Sequence, residues 1–312
     1  MTNLPGLTPR ALKPLSAAIL LLAVGSALAQ PKLNVVASLP DLAALAREIG
    51  GQAIQVTSLA TGLEDPHFVD PKPSFVRVLN RADLLLEGGA ELEVGWLPPL
   101  VDSARNPKIR RQGPGNFVAA EGVRLLQVPT GPLDRAQGDV HPLGNPHFLL
   151  APDNCSIVAR RLAETLSRLD PTHAAIYQTN LAQFQARLDQ KVAQWRQSLA
   201  PFRGTKVVTY HKSFDYFLDY FGLELVGTIE PKPGIEPTPA HINELIPKAR
   251  QLGVKLVIIE PNRPRRTPER VAQAIGAQLV ILPLMPGGQP AAKDFFGWFD
   301  YNVTQLVNVL KP

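Results

Sequence analysis

Three histidines occupy settings from which their rings could reach one ion. His67 lies in Glu64-Asp65-Pro66-His67-Phe68 and His147 in Gly144-Asn145-Pro146-His147-Phe148. His211 follows the β-rich run Val207-Val208-Thr209, in Tyr210-His211-Lys212-Ser213-Phe214. A single loop histidine is ordinarily a surface or hydrogen-bonded residue. Three at strand ends, two of them fixed by a preceding proline, argue jointly for a site. Neutral imidazole is a borderline-soft ligand, and three imidazoles with one oxygen donor suit Zn²⁺. His141, six residues before His147, is a candidate fourth ligand or a partner behind the shell. Glu260 ends the run Val257-Ile258-Ile259, where a side chain points into a cleft. It would complete the shell or orient His211 by accepting its second ring N–H. Asp65 is read as a turn cap, and Glu230 and Glu236 as the edge of the cleft. His173 and His241 are read as exposed helix-start residues.

The segments that must carry these rings alternate between strand and helix. Leu33 to Ser38 is β-rich, and Pro40-Asp41 opens a helix that stops at Gly50-Gly51. Ile54 to Ser58 is a strand, Ser74 to Asn80 a helix, and Asp83 to Gly89 a nearly continuous apolar strand. Continuous apolar strands between helices imply parallel sheets covered on both faces. Residues 104–146 are rich in Pro and Gly and read as loops and short strands. A helix runs from Asp153 to Leu169. A second, from about Thr172 to Leu199, has apolar spacing through Ile176, Leu181, Phe184, Leu188, Val192 and Trp195. At ~1.5 Å per residue such a helix is roughly 42 Å long, enough to run along two domains and join them rigidly. The alternation then restarts at Lys206 and ends in a helix from Phe295 to Leu310. The fold class expected is α/β, with two similar lobes of parallel-rich sheet and the site in the cleft between them. Its divisions are 30–168 for the first lobe, 169–203 for the linking helix and 204–312 for the second lobe. Ligands of such sheets sit beyond the carboxyl ends of the strands.

The 312 residues suffice for two ordinary cores, and 45% hydrophobic against 19% charged residues exclude a disordered or fibrous chain. Residues 1–29 read as a secretory signal peptide: Arg10 and Lys13, an apolar run from Leu15 to Val24, then Ala27-Leu28-Ala29. The run is too short to span about 30 Å of hydrocarbon comfortably. Export to the periplasm is therefore expected. The single cysteine, Cys155, lies far from the cleavage site, so neither an N-terminal lipidated cysteine nor an intrachain disulfide is expected. The formal charge of +5 loses two with Arg10 and Lys13, too mild a balance to argue for nucleic acid. Arg110-Arg111 and Arg263-Pro264-Arg265-Arg266 read as solvated loops.

These features together resemble the periplasmic zinc and manganese solute-binding proteins of ABC transporters, the cluster A-I type. The resemblance covers nearly the whole mature chain. It rests on Asp65-Pro66-His67, Asn80-Arg81-Ala82-Asp83, Gly144-Asn145-Pro146-His147, and His211-Lys212-Ser213-Phe214-Asp215-Tyr216-Phe217, with the long linking helix. It implies that His67, His147 and His211 are the histidine ligands. It further implies two lobes that close only a little on the ion, and delivery of a metal ion to a membrane permease powered by an ATPase. Many members carry a fourth, carboxylate ligand after the last strand of the second lobe. Here that stretch reads Ile281-Leu282-Pro283-Leu284-Met285-Pro286. The histidine-rich loop of many zinc members has no counterpart in Gly131 to Val140. Manganese members usually supply two carboxylates, so a three-histidine set favours Zn²⁺ over Mn²⁺ or Fe²⁺ by ligand hardness. A monomer without catalytic activity is expected. The competing zinc metallohydrolase would need a general base, and no HExxH motif is present.

Overall fold

The computed structural model describes residues 1–2, 32–131 and 141–311. The expected signal peptide, beyond Met1 and Thr2, and most of the Gly131–Val140 stretch lie outside the described residues.

The first half begins with β1 (Leu33–Ala37), α1 (Pro40–Gly50) and β2 (Ile54–Ser58). It continues through α2 (Pro73–Asn80), β3 (Leu84–Glu87), α3 (Leu97–Ala104), β4 (Asn116–Val118) and α4 (Pro152–Leu169). The strands are all parallel, in the order β2-β1-β3-β4. After α5 (Ala174–Leu199) come β5 (Lys206–Thr209), α6 (Asp215–Phe221), β6 (Glu224–Thr228) and α7 (Pro239–Gln251). The chain closes with β7 (Leu256–Ile259), α8 (Arg266–Ile275), β8 (Gln278–Ile281) and α9 (Phe295–Leu310). This second sheet is also wholly parallel, in the order β6-β5-β7-β8. The two lobes therefore repeat one plan. In each, the strand order reverses beside the first strand, which opens a crevice at the carboxyl ends.

Both sheet faces are buried, as the continuous apolar strands require. Val35, Leu84 and Leu86 face α1, α4 and α5, whereas Val36 and Leu85 face the residues of α2 and α3. In the second sheet Val207, Leu256 and Ile258 face the α9 side, and Val208, Val257 and Ile259 face α7 and α8. The inner faces of the two sheets share one continuous core along α5. At ~1.5 Å per residue, α5 is roughly 39 Å long. Asn180 Nδ2 donates to the Ile49 carbonyl of α1 at 2.9 Å. Further along, Trp195 stacks on Phe299 and donates from Nε1 to Asp300 at 2.8 Å, and Lys191 meets Asp300 at 2.6 Å.

Two helices depart from the sequence reading. The sequence reading assigns no element to helix α3, which carries Pro98-Pro99. Both prolines sit in the first turn, where the missing N–H groups would have no intrahelical partner. Helix α5 starts two residues late, after a 3₁₀ turn Pro171–His173. That register turns Ile176 outward, 44% exposed, and buries Tyr177, whose hydroxyl donates to Asp170 at 2.7 Å. Among the described residues, no helix is long and apolar enough to cross a membrane.

Candidate metal centre

His67 sits in the loop after β2. Asp65 Oδ1 accepts both its backbone N–H, at 3.0 Å, and its Nδ1–H, at 2.8 Å. The first bond makes the turn expected of Asp65; the second fixes the ring and leaves Nε2 with its lone pair outward. His211 lies just beyond β5, its carbonyl held by Thr209 Oγ1 at 2.7 Å. Its Nδ1 meets Glu230 Oε2 at 2.8 Å, and both side chains are buried. Glu230, next after Ile229 at the end of β6, also accepts the Gly234 N–H at 3.2 Å. His147 precedes a 3₁₀ turn that leads into α4, and Asn145 Oδ1 accepts its backbone N–H at 3.0 Å. Its Nε2 is buried with no hydrogen-bond partner.

These three rings converge. Their centroids are 5.1 Å (His67–His147), 5.3 Å (His67–His211) and 5.5 Å (His147–His211) apart. One ring nitrogen from each lies within 4.8 Å of the other two. Tetrahedral zinc with Zn–N of about 2.0–2.1 Å puts its nitrogens roughly 3.3 Å apart, so a small inward shift of the rings would accommodate it. The orphaned Nε2 of His147 is what a ligand atom looks like without its ion, since buried polar atoms otherwise find partners. Burial drives the His147 pKa well below its ordinary value, and the charges of His67, His211, His141 and Arg263 push the same way. His147 therefore holds no proton that a metal ion must displace at neutral pH.

His141 stands at the rim, half-buried, with its Nε2 3.2 Å from that of His67. Burial, then the neighbouring His67 and His211, lower its pKa to about 4 against a weaker raising bond to the Ala90 backbone. It is not part of the mutually facing triad. Glu260 does not orient His211 as expected; Glu230 does. The chain beyond β7 places Glu260 over Ser213 instead, whose hydroxyl donates to Oε1 at 2.5 Å, while Oε2 is buried without a partner. Burial raises the Glu260 pKa against the opposing charges of Arg263 and His211. Of the residues that sequence reasoning put elsewhere, Glu236 lies exposed and His241 donates from Nε2 to the Thr228 carbonyl at 2.8 Å. His173 pairs with Asp170 at 2.6 Å.

Sequence reasoning missed Arg263 and the ring-orienting roles of Asp65 and Glu230. Arg263, read as part of a solvated basic loop, is only 20% exposed at its side chain and faces Asp65 at 3.1 Å, Glu230 at 3.6 Å and Glu260 at 3.8 Å. Burial works to raise the Asp65 pKa, but the bonds from His67 and the Arg263 charge overcome it and hold that carboxyl well below the usual range. The orienting role of Asp65 was legible in its spacing, two residues before His67. Little local marks Arg263, because two of its three partners, Asp65 and Glu230, come from loops distant in sequence.

Two like parallel-sheet lobes bound along one long helix, with a histidine cluster where the strand ends meet, are the architecture of the cluster A-I solute-binding proteins of ABC transporters. The chain belongs to the ZnuA family: the family model described as zinc-uptake complex component A periplasmic matches residues 35–309. This is a family of transporter substrate-binding proteins, not of enzymes. Relatives include the manganese ABC transporter substrate-binding lipoprotein PsaA of Streptococcus mitis, 27% identical over 89% of each chain. The metal ABC transporter substrate-binding lipoprotein SloC of Streptococcus mutans is 26% identical over 90% of this chain and 91% of its own. A solved structure of a zinc-bound ZnuA deletion mutant superimposes with a TM-score of 0.75 at 25% identity, covering 90% of this chain and all of its own.

Proposed function

We propose that this protein is the periplasmic zinc-capturing component of an ABC importer, and that His67, His147 and His211 hold the ion and release it to a membrane permease. The observation that carries this reading is the mutual approach of three imidazole nitrogens, with no carboxylate oxygen among them in the described residues. Two of the rings have their second nitrogen fixed by a carboxylate, the arrangement that gives zinc-binding histidines their tautomer and basicity. His141 is one further donor for the fourth position and water the alternative; Glu260 gives its Oε1 to Ser213 and turns its Oε2 to Arg263. The family description and the zinc-bound structural neighbour support zinc.

A manganese reading has its own support, because the PsaA relatives are named for manganese. Ligand chemistry supports zinc: Mn²⁺ prefers oxygen donors, and the carboxylates of this site face the rings and a guanidinium. The relatives are named lipoproteins, whereas Cys155, the single cysteine of this sequence, is buried in α4 with its Sγ 3.0 Å from the Leu149 carbonyl. We therefore keep to a signal-directed soluble periplasmic protein that acts as a monomer without nucleic acid. Competition titration of metal-free protein against a chromophoric chelator tests the reading. Zn²⁺ should bind at least a hundredfold more tightly than Mn²⁺, and His211→Ala should lose at least a hundredfold in zinc affinity. Equal affinities would support manganese, and an unaffected His211→Ala protein would sink the site.

A further inference from the structure

Arg263 meets carboxylates from both halves of the centre. It leaves the loop after β7 and lays its guanidinium 5.1 Å from the Tyr210 ring centroid. Its NH2 reaches Asp65 Oδ2 of the first half at 3.1 Å, and its NH1 lies 3.6 Å from Glu230 Oε1 of the second. Its Nε is buried without a hydrogen bond and faces Glu260 Oε2, which is also buried and unpartnered, at 3.8 Å. Two of these three carboxylates spend their other oxygen on a ring nitrogen of His67 or His211. A planar fork with five donors suits such a role; a lysine ammonium does not.

A site ringed by three carboxylates and no counter-charge would draw one of them onto a bound divalent ion. Oxygen ligation of that kind favours manganese, whereas an all-imidazole set favours zinc. Glu260 is the carboxylate least tied down: Ser213 holds only its Oε1, and its Oε2 has nothing but Arg263 to face. We propose that Arg263 is the positioning and specificity-determining residue of this centre. Bridging Asp65, Glu230 and Glu260, it keeps their oxygens turned from the ion, so that the histidines alone meet it and zinc is preferred to manganese. The inference rests on the zinc-site reading above and deepens it.

The experiment compares the full chain with Arg263→Met and Arg263→Lys. It measures Zn²⁺ and Mn²⁺ affinity by chelator competition, and the visible spectrum of the Co²⁺-loaded proteins. Wild type is measured first; if it binds no zinc, the zinc-site reading fails by itself, whatever Arg263 does. If it binds zinc, Arg263→Met should lower the zinc-to-manganese affinity ratio at least tenfold. The same variant should weaken the Co²⁺ d–d bands as oxygen enters the shell. Adding Glu260→Gln to Arg263→Met should restore at least half of the lost discrimination on a logarithmic scale. A ratio within twofold of wild type, with an unchanged Co²⁺ spectrum, overturns the proposal. Should circular dichroism show Arg263→Met unfolded, Arg263→Lys decides: its ratio should fall at least threefold, and an unchanged ratio overturns the proposal equally.

Discussion

A histidine ligand is only as good as the group behind it. Glu230 accepts the Nδ1–H of His211 while both are buried, so removing its charge alters the basicity and the aim of that ring without touching the ion. Glu230→Gln should lower zinc affinity about 10- to 100-fold, the range typical of such partners. Calorimetry of the folded variant would measure this, and a change under threefold would mean that Glu230 is a bystander. At this scale the sequence was informative about which histidines converge and poor about their supports. His67, His147 and His211 announce themselves through Pro-His dipeptides and a strand end. Glu230 and Arg263 are recognisable only once β6 and the loop after β7 are folded beside β5, because charge pairing across loops leaves no periodicity to read.

Strands and helices were the more legible scale, since β7 is an unbroken apolar run, β3 is one up to Glu87, and Leu181, Phe184 and Leu188 keep helical spacing on α5. What escaped was the turn between β3 and α3. There Ala90 and Glu91 adopt left-handed φ of 52° and 63°, and Glu93 folds back into the lobe. Its carboxyl is 3% exposed and receives Ser38 Oγ at 2.6 Å, Gly88 N–H at 2.6 Å and Gly89 N–H at 3.1 Å, which joins the ends of β1 and β3. Burial raises its pKa to about 7, with those hydrogen bonds opposing. The folded state thus holds this proton more firmly than the unfolded chain does. Its contribution is complete below the unfolded value of 4.5 and is lost as pH rises through about 7. Asp41, raised by burial to about 6, acts in the same direction. Metal-free protein should therefore lose on the order of 3 kcal/mol between pH 5 and pH 8 through Glu93. Urea unfolding across that range would show it, and Glu93→Gln should flatten the profile. A variant with the wild-type slope would exclude Glu93 as its source.

Across the whole molecule, α5 does more than connect. The expectation of a rigid strut came from its length, but its length alone says nothing of what it rests on. The structure supplies that: Asn180 ties it to α1, and Trp195, buried against Phe299, ties it to α9. Trp195→Ala should cost about 3–5 kcal/mol in a urea titration, the usual range for a large aromatic removed from a core. The unfolding should stay a single transition followed equally by fluorescence and circular dichroism. Two separated transitions would show the lobes to be independent.

The apolar core shared along α5 also bears on how such a protein can be recombined. Because Phe184 packs against both Phe295 and Phe296 of α9 while α5 also lies on α1 and α4, neither half owns the helix. A chimera that takes its second half from a relative, joined at the loop before β5, would seat a foreign α9 on a native α5. Such a graft should succeed only when the α5 residues that face α9, Phe184 and Trp195 among them, are exchanged with it. The natural unit of exchange here is a set of matching helix faces, not a stretch of chain.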